Sequence, residues 1–143
     1  MQGMTLGFFT NPQKQSAVDG LLTGLSSALL QGYSCCVDAS LLPLIPEPLP
    51  TIDQKMPDYI LAFGGDGTIL RAASKAAELE IPILGINLGR VGFLSEITPD
   101  QLQTAFARLE QHAFTLDKRM MLACRVNGGS PHYCLNETLL YKR

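Results

Sequence analysis

Short apolar runs alternate along this chain with stretches in which apolar residues recur every three or four positions. Thr5-Leu6-Gly7-Phe8-Phe9-Thr10 is the first run and ends at Asn11-Pro12, after which Val18, Leu21, Leu22, Leu25 and Leu29 follow at helical spacing. This predicts a strand and then an amphipathic helix. Tyr33 to Val37 reads as a second short strand, and Pro43, Pro46, Pro48, Pro50 and Pro57 make residues 40–57 an expected irregular connector. Tyr59 to Phe63 is strand-like again. Thr68 to Glu80 has helical spacing, with Ile69, Ala73 and Ala76 on one face, and Pro82 to Ile86 returns to strand. Thr98-Pro99-Asp100-Gln101 then supplies an N-cap, a proline at the first helical position and a capping-box partner, ahead of Leu102, Phe106 and Leu109 on one helical face. Such alternation predicts an α/β fold, a Rossmann-like parallel sheet with flanking helices.

Past Gln111 the pattern changes. Met121–Val126 and His132–Tyr141 read as two strands joined by an Asn127-Gly128-Gly129 hairpin turn. We therefore divide the chain into an α/β catalytic-loop domain, residues 1–111, and the beginning of a β-rich domain, residues 112–143. The final "LNETLLYKR" alternates like a strand without a turn or a tail, so the chain is expected to be the front part of a longer protein. Phe106, Phe114, Met120 and Met121 are read as core.

A chain of 143 residues is long enough for one domain, which buries roughly two-thirds of its unfolded surface. The formal charge of −2 gives no electrostatic reason to expect nucleic acid or an anionic membrane as partner, so a small molecule fits better. Residues 20–37 lack charge but are too rich in glycine, serine and threonine to span a bilayer, and no basic region precedes an apolar core at the N-terminus. A cytoplasmic location is expected. Cys35, Cys36, Cys124 and Cys134 match neither a zinc spacing nor a disulfide framework and read as reduced thiols, while His112 and His132 read as surface residues. No metal site is expected from the side chains.

What remains is "AFGGDGTILRAA", residues 62–73, which sets Gly64, Gly65 and Gly67 around one carboxylate where a buried strand ends. In an open α/β sheet, ligands sit at the carboxyl ends of strands, and a loop without Cβ atoms lets a phosphate or ribose approach the backbone. An acid there would repel a phosphate. Asp66 therefore suits a hydroxyl acceptor, a general base or a metal-linked group, each of which fits phosphoryl transfer; the alternative is an ordinary helix cap with turn glycines around it. Arg71, one helical turn on, is placed to meet a phosphate or to stay solvated. The next strand is followed by a second bare stretch, "GINLGRVGFL", residues 85–94, with Gly85, Gly89 and Gly92 and an amide at Asn87. Neither G-x-G-x-x-G nor a Walker A ending is present, so hydride transfer and P-loop chemistry lose their main support.

"GGDGT", then "GINLGRVGFL" about twenty residues on, then the Asn-Glu of "LNETLL", together resemble the NAD kinase family. "GGDGT" alone is shared with diacylglycerol and sphingosine kinases and nearly with 6-phosphofructokinases; the second motif separates them. The resemblance implies a kinase that phosphorylates the 2′-hydroxyl of the adenosine ribose of NAD to give NADP, with Asp66 as the general base. It further implies substrate contacts at Gly65, Asp66, Gly67, Thr68, Arg71, Asn87, Gly89, Phe93, Asn136 and Glu137. Arg119 lies in a segment similar to the one that opens the family's second domain. ATP or polyphosphate would be the phosphate donor, with a divalent cation, Mg²⁺, arriving with it, and the full-length enzyme would be a homo-oligomer. Two alternatives stand beside this: a lipid or sugar kinase of the "GGDGT" type, which could keep Gly64 to Thr68, and, because the Thr-Ala-Tyr-Ser segment of the family's β-rich half is not in this chain, a truncated nucleotide-binding domain without turnover. By themselves Asn136 and Glu137 read as a strand-end pair.

Overall fold

The computed structural model describes residues 3–89, 92 and 94–135. Among these, β1 (Thr5–Thr10), β2 (Ser34–Val37), β3 (Tyr59–Gly64) and β4 (Ile83–Asn87) form a parallel sheet in the order β2-β1-β3-β4. The helices are α1 (Gln15–Leu30), between β1 and β2; α2 (Asp66–Leu79), between β3 and β4; and α3 (Leu102–Glu110), after β4. β5 (Leu122–Cys124) and β6 (His132–Cys134) pair antiparallel as a small second sheet.

The strands are buried on both faces and so read as continuous apolar runs. Leu6, Phe8, Leu61 and Phe63 point to one face, where Leu21 and Leu25 of α1 and Leu102, Phe106 and Leu109 of α3 cover them. Phe8 and Phe63 stack there at 5.8 Å between ring centroids. The alternate residues Ile60 and Ala62 point to the other face, against Ile69, Ala72 and Ala76 of α2. Helices thus lie on opposite faces because the chain winds from β1 outward to β2, then crosses to β3 and winds outward to β4. The winding reverses between β1 and β3, which puts a crevice at their carboxyl ends.

The expected elements form with shifted ends, and α2 begins two residues before Thr68. The capping box at Thr98 is present, with the Gln101 side chain accepting from the Thr98 N–H at 3.0 Å, and it caps a short 3-10 helix (Pro99–Gln101) that leads into α3. The hairpin turn has Asn127 at φ 50° and Gly128 at φ 73°, as an Asn-Gly turn requires. Its strands are shorter than expected, and Asn136 to Tyr141 of the second one fall outside the described residues.

Two expectations need correction. Residues 40–57 are not a plain connector: Ala39–Leu44 form a 3-10 helix around Pro43, and the chain then returns along β2, where the Val37 N–H donates to the Pro50 carbonyl and the Ile52 N–H to that of Val37. Proline has no N–H to contribute, but its carbonyl still accepts, so Pro50 can join the edge of the sheet. Phe106 is core, fully buried, but Phe114 is 36% exposed and Met120 90% exposed, with Met121 half-buried. Phe114 instead sets its ring edge-on to Tyr59 at 5.7 Å, against a ring that is itself packed on the rim of the larger core cluster.

Candidate functional site

β3 and β4 run side by side with Gly64 opposite Asn87, so the two glycine-bearing loops leave the sheet at the same level. The Thr10 hydroxyl donates to the Phe63 carbonyl at 2.6 Å and ties the end of β1 to the same edge. Gly64 has φ 149°, and a Cβ there would stand 2.5 Å from the Thr68 hydroxyl oxygen, which makes glycine the residue that fits. Gly65 then caps α2 with extended backbone and no side-chain cap, and Asp66 is the acidic residue of the first turn. A helix N-terminus favours a negative charge there, and its first N–H groups have no partners within the helix.

Asp66 is half-buried, between Gly65 and Gly67, both exposed with nothing within 4 Å of a notional Cβ. Its Oδ1 accepts from the Leu94 N–H at 3.0 Å, a bond that joins the loop after β4 to the acid of the loop after β3. Thr68 is buried, and Arg71 is exposed on α2, one turn beyond Gly67. Asn87 is buried and its Oδ1 accepts from the Gly89 N–H at 3.0 Å, so part of its side chain is engaged in shaping the second loop. Of the residues singled out from the sequence, the fold brings Gly65, Asp66, Gly67, Thr68, Asn87 and Gly89 to one edge. Phe93, Asn136 and Glu137 lie outside the described residues. The expectation overlooked Leu94 and the specific role of Gly92, whose bare Cα faces the Asp66 carboxylate. The third glycine of the second cluster was their one available signal.

A wide apolar groove lies beside β4, lined by Ile83, Leu94, Ile97, Leu109, Phe114 and Met121. Asp66 does not line it. Among the described residues no group of three or more His, Cys, Asp or Glu side chains could hold a metal ion. His112 and His132 are exposed, and the thiols of Cys35 and Cys36 are buried while those of Cys124 and Cys134 are half-buried. Burial pushes the Cys35 thiol up to about 12, with the neighbouring Cys36 adding to it, and the Cys36 thiol up to about 11. Neither is a nucleophile near neutral pH. Among the described residues no helix is long and apolar enough to cross a membrane.

A doubly wound α/β sheet with an acid in the first helical turn at its carboxyl edge has the arrangement in which such sheets take up ligands. The family model described as ATP-NAD kinase N-terminal domain matches residues 46–114. The NAD kinase of Methanothermobacter thermautotrophicus is 36% identical over 143 residues, 98% of this chain and 50% of that protein. The NAD kinase of Porphyromonas gingivalis is 41% identical over 87 residues, 60% of this chain and 30% of that protein. The crystal structure of yeast NADH kinase complexed with NADH shares the fold, with a TM-score of 0.65 at 16% identity over 92% of this chain and 46% of that one. The chain belongs to the NAD kinase family, where it corresponds to the N-terminal half. It spans half the length of the Methanothermobacter relative and less of the other.

Proposed function

We propose that this chain carries the catalytic loop of an enzyme that phosphorylates the 2′-hydroxyl of the adenosine ribose of NAD to give NADP. The observation that carries this reading is Asp66: a carboxylate on a loop open at Gly65 and Gly67, at a sheet edge where ligands bind, in a chain of the NAD kinase family. A secondary alcohol must lose its proton as it attacks phosphorus, and a well-placed base contributes about 10²–10⁴-fold in rate. Asp66 accepts that proton. The 2′-oxygen then forms its bond to the terminal phosphorus of the donor as the bridging oxygen leaves with the remainder.

Gly65 and Gly67 give the ribose room against the backbone, and Thr68, Asn87, Gly89, Phe93, Asn136 and Glu137 complete the dinucleotide site. Arg71 supplies positive charge toward phosphate. The donor is ATP or polyphosphate. Among the described residues the side chains do not form a metal site by themselves; Mg²⁺ would enter bound to the donor's phosphates and would offset their charge. The reading has the enzyme in the cytoplasm and as a homo-oligomer.

The test is product analysis with the intact protein, NAD, Mg²⁺ and either ATP or polyphosphate. NADP carrying its new phosphate on the adenosine ribose 2′-oxygen is the expected product. Transfer to a lipid or a free sugar, with NAD untouched, would overturn the assignment.

A further inference from the structure

The loop that leaves β4 turns back onto the Asp66 carboxylate and is tied at both limbs. On the outgoing limb Asn87 Oδ1 accepts from the Gly89 N–H at 3.0 Å. On the returning limb the Glu96 and Ile97 N–H groups both donate to the Gly85 carbonyl, at 3.0 and 3.2 Å, and the Asn87 N–H donates to the Ile97 carbonyl at 2.7 Å. Between these ties the Leu94 N–H donates to Asp66 Oδ1 at 3.0 Å. Gly92 lies flat against the same carboxylate: a Cβ there would overlap Oδ1 and stand 2.7 Å from Cγ and 2.9 Å from Oδ2.

We propose that Gly92 and the backbone N–H of Leu94 position the Asp66 carboxylate for proton transfer, an inference that rests on the reading of Asp66 as the base. A backbone donor on a loop anchored to the sheet sets where Oδ1 sits. With two side-chain torsions and one oxygen held, the plane of the carboxylate is restricted, and with it the direction from which the acid meets a hydroxyl. Gly92 is a positioning residue, because it acts through Asp66. The atoms that a Cβ would strike are the outer end of a short side chain, so the carboxylate swings aside while the backbone stays. The second glycine cluster therefore serves the base as well as the ligand.

The experiment is a double-mutant cycle in the intact protein. Gly92→Ala should lower kcat by about thirtyfold or more with the KM for NAD within about threefold, yet change kcat by less than about twofold when Asp66→Asn is already present. Equal losses in both backgrounds would overturn the proposal and leave Gly92 a structural turn. A second readout needs neither turnover nor the Gly92 variant: the Leu94 amide should exchange its hydrogen with solvent about tenfold faster in Asp66→Ala than in the parent. A Leu94 amide indifferent to Asp66 would overturn the contact itself. Undiminished turnover in Asp66→Asn alone would instead refute the base assignment, and the amide exchange tells these two failures apart.

Discussion

At the N-terminal end of α2, Gly65 and Gly67 face outward, with nothing within 4 Å of where a Cβ would stand; in the loop that leaves β4, Gly92 faces inward, against the Asp66 carboxylate. The same residue type meets two different demands a few ångströms apart. On the proposed function, outward glycines leave space for a ligand to reach the backbone, and a side chain added there would meet the ligand. The inward glycine leaves space for a side chain of the protein itself, and a methyl added there meets the base. The outward glycines should therefore govern affinity, and the inward Gly92 should govern turnover.

Substitutions separate the two. Gly67→Val should raise the KM for NAD about thirtyfold with the melting temperature held within about 5 °C, because the position is exposed, helical and without positive φ. Steady-state kinetics beside a thermal melt checks it, and a loss of kcat at unchanged KM would erase the contrast with Gly92. Gly64→Ala should instead destabilise the fold by about 1–3 kcal/mol in a denaturant titration, since φ 149° and the overlap with Thr68 leave nowhere for a Cβ. Gly89→Val should weaken NAD binding about fivefold in a direct titration while the melt stays within about 3 °C, its notional Cβ meeting nothing within 4 Å. A collapsed melt with affinity retained would make Gly89 a folding residue.

The smallest effect lies away from both loops. The raised pKa values of Cys35 and Cys36 favour the neutral thiol in the folded state. Their contribution to stability is whole below the ordinary thiol value of 9.0 and is lost as pH rises toward about 11 and about 12. At pH 8 iodoacetamide should modify half-buried Cys124 and Cys134 first and leave the buried pair intact until the protein is unfolded, as mass mapping of labelled peptides would show.

Much of this arrangement is legible in the sequence, for physical reasons. Strands buried on both faces are continuous apolar runs, and helices against a sheet are periodic, so β1, α1, β3, α2, β4 and α3 each carry their own signal. Asp66 stands out because an acid among glycines at a strand end has few structural uses. The return of residues 50–52 along β2 was hidden, because proline marks where regular structure breaks and says nothing of which carbonyl will accept a bond. Apolar character pointed Phe114 and Met120 inward, but it does not say which surface is near enough to cover them. The contact of Gly92 with Asp66 was hidden for a related reason: a glycine's spacing reveals that a Cβ is unwelcome, not whether a ligand or a neighbouring side chain excludes it.

The central claim, that Asp66 is the base held between these loops, is tested most directly by Asp66→Asn in the intact protein, measured for NAD binding and for turnover on the same preparation. The amide keeps the side chain's size and can still accept the Leu94 N–H, but it cannot take a proton from the ribose hydroxyl. Turnover should fall by at least about a hundredfold with the NAD dissociation constant within about threefold of the parent. Turnover within about twofold of the parent, at unchanged binding, would contradict the account.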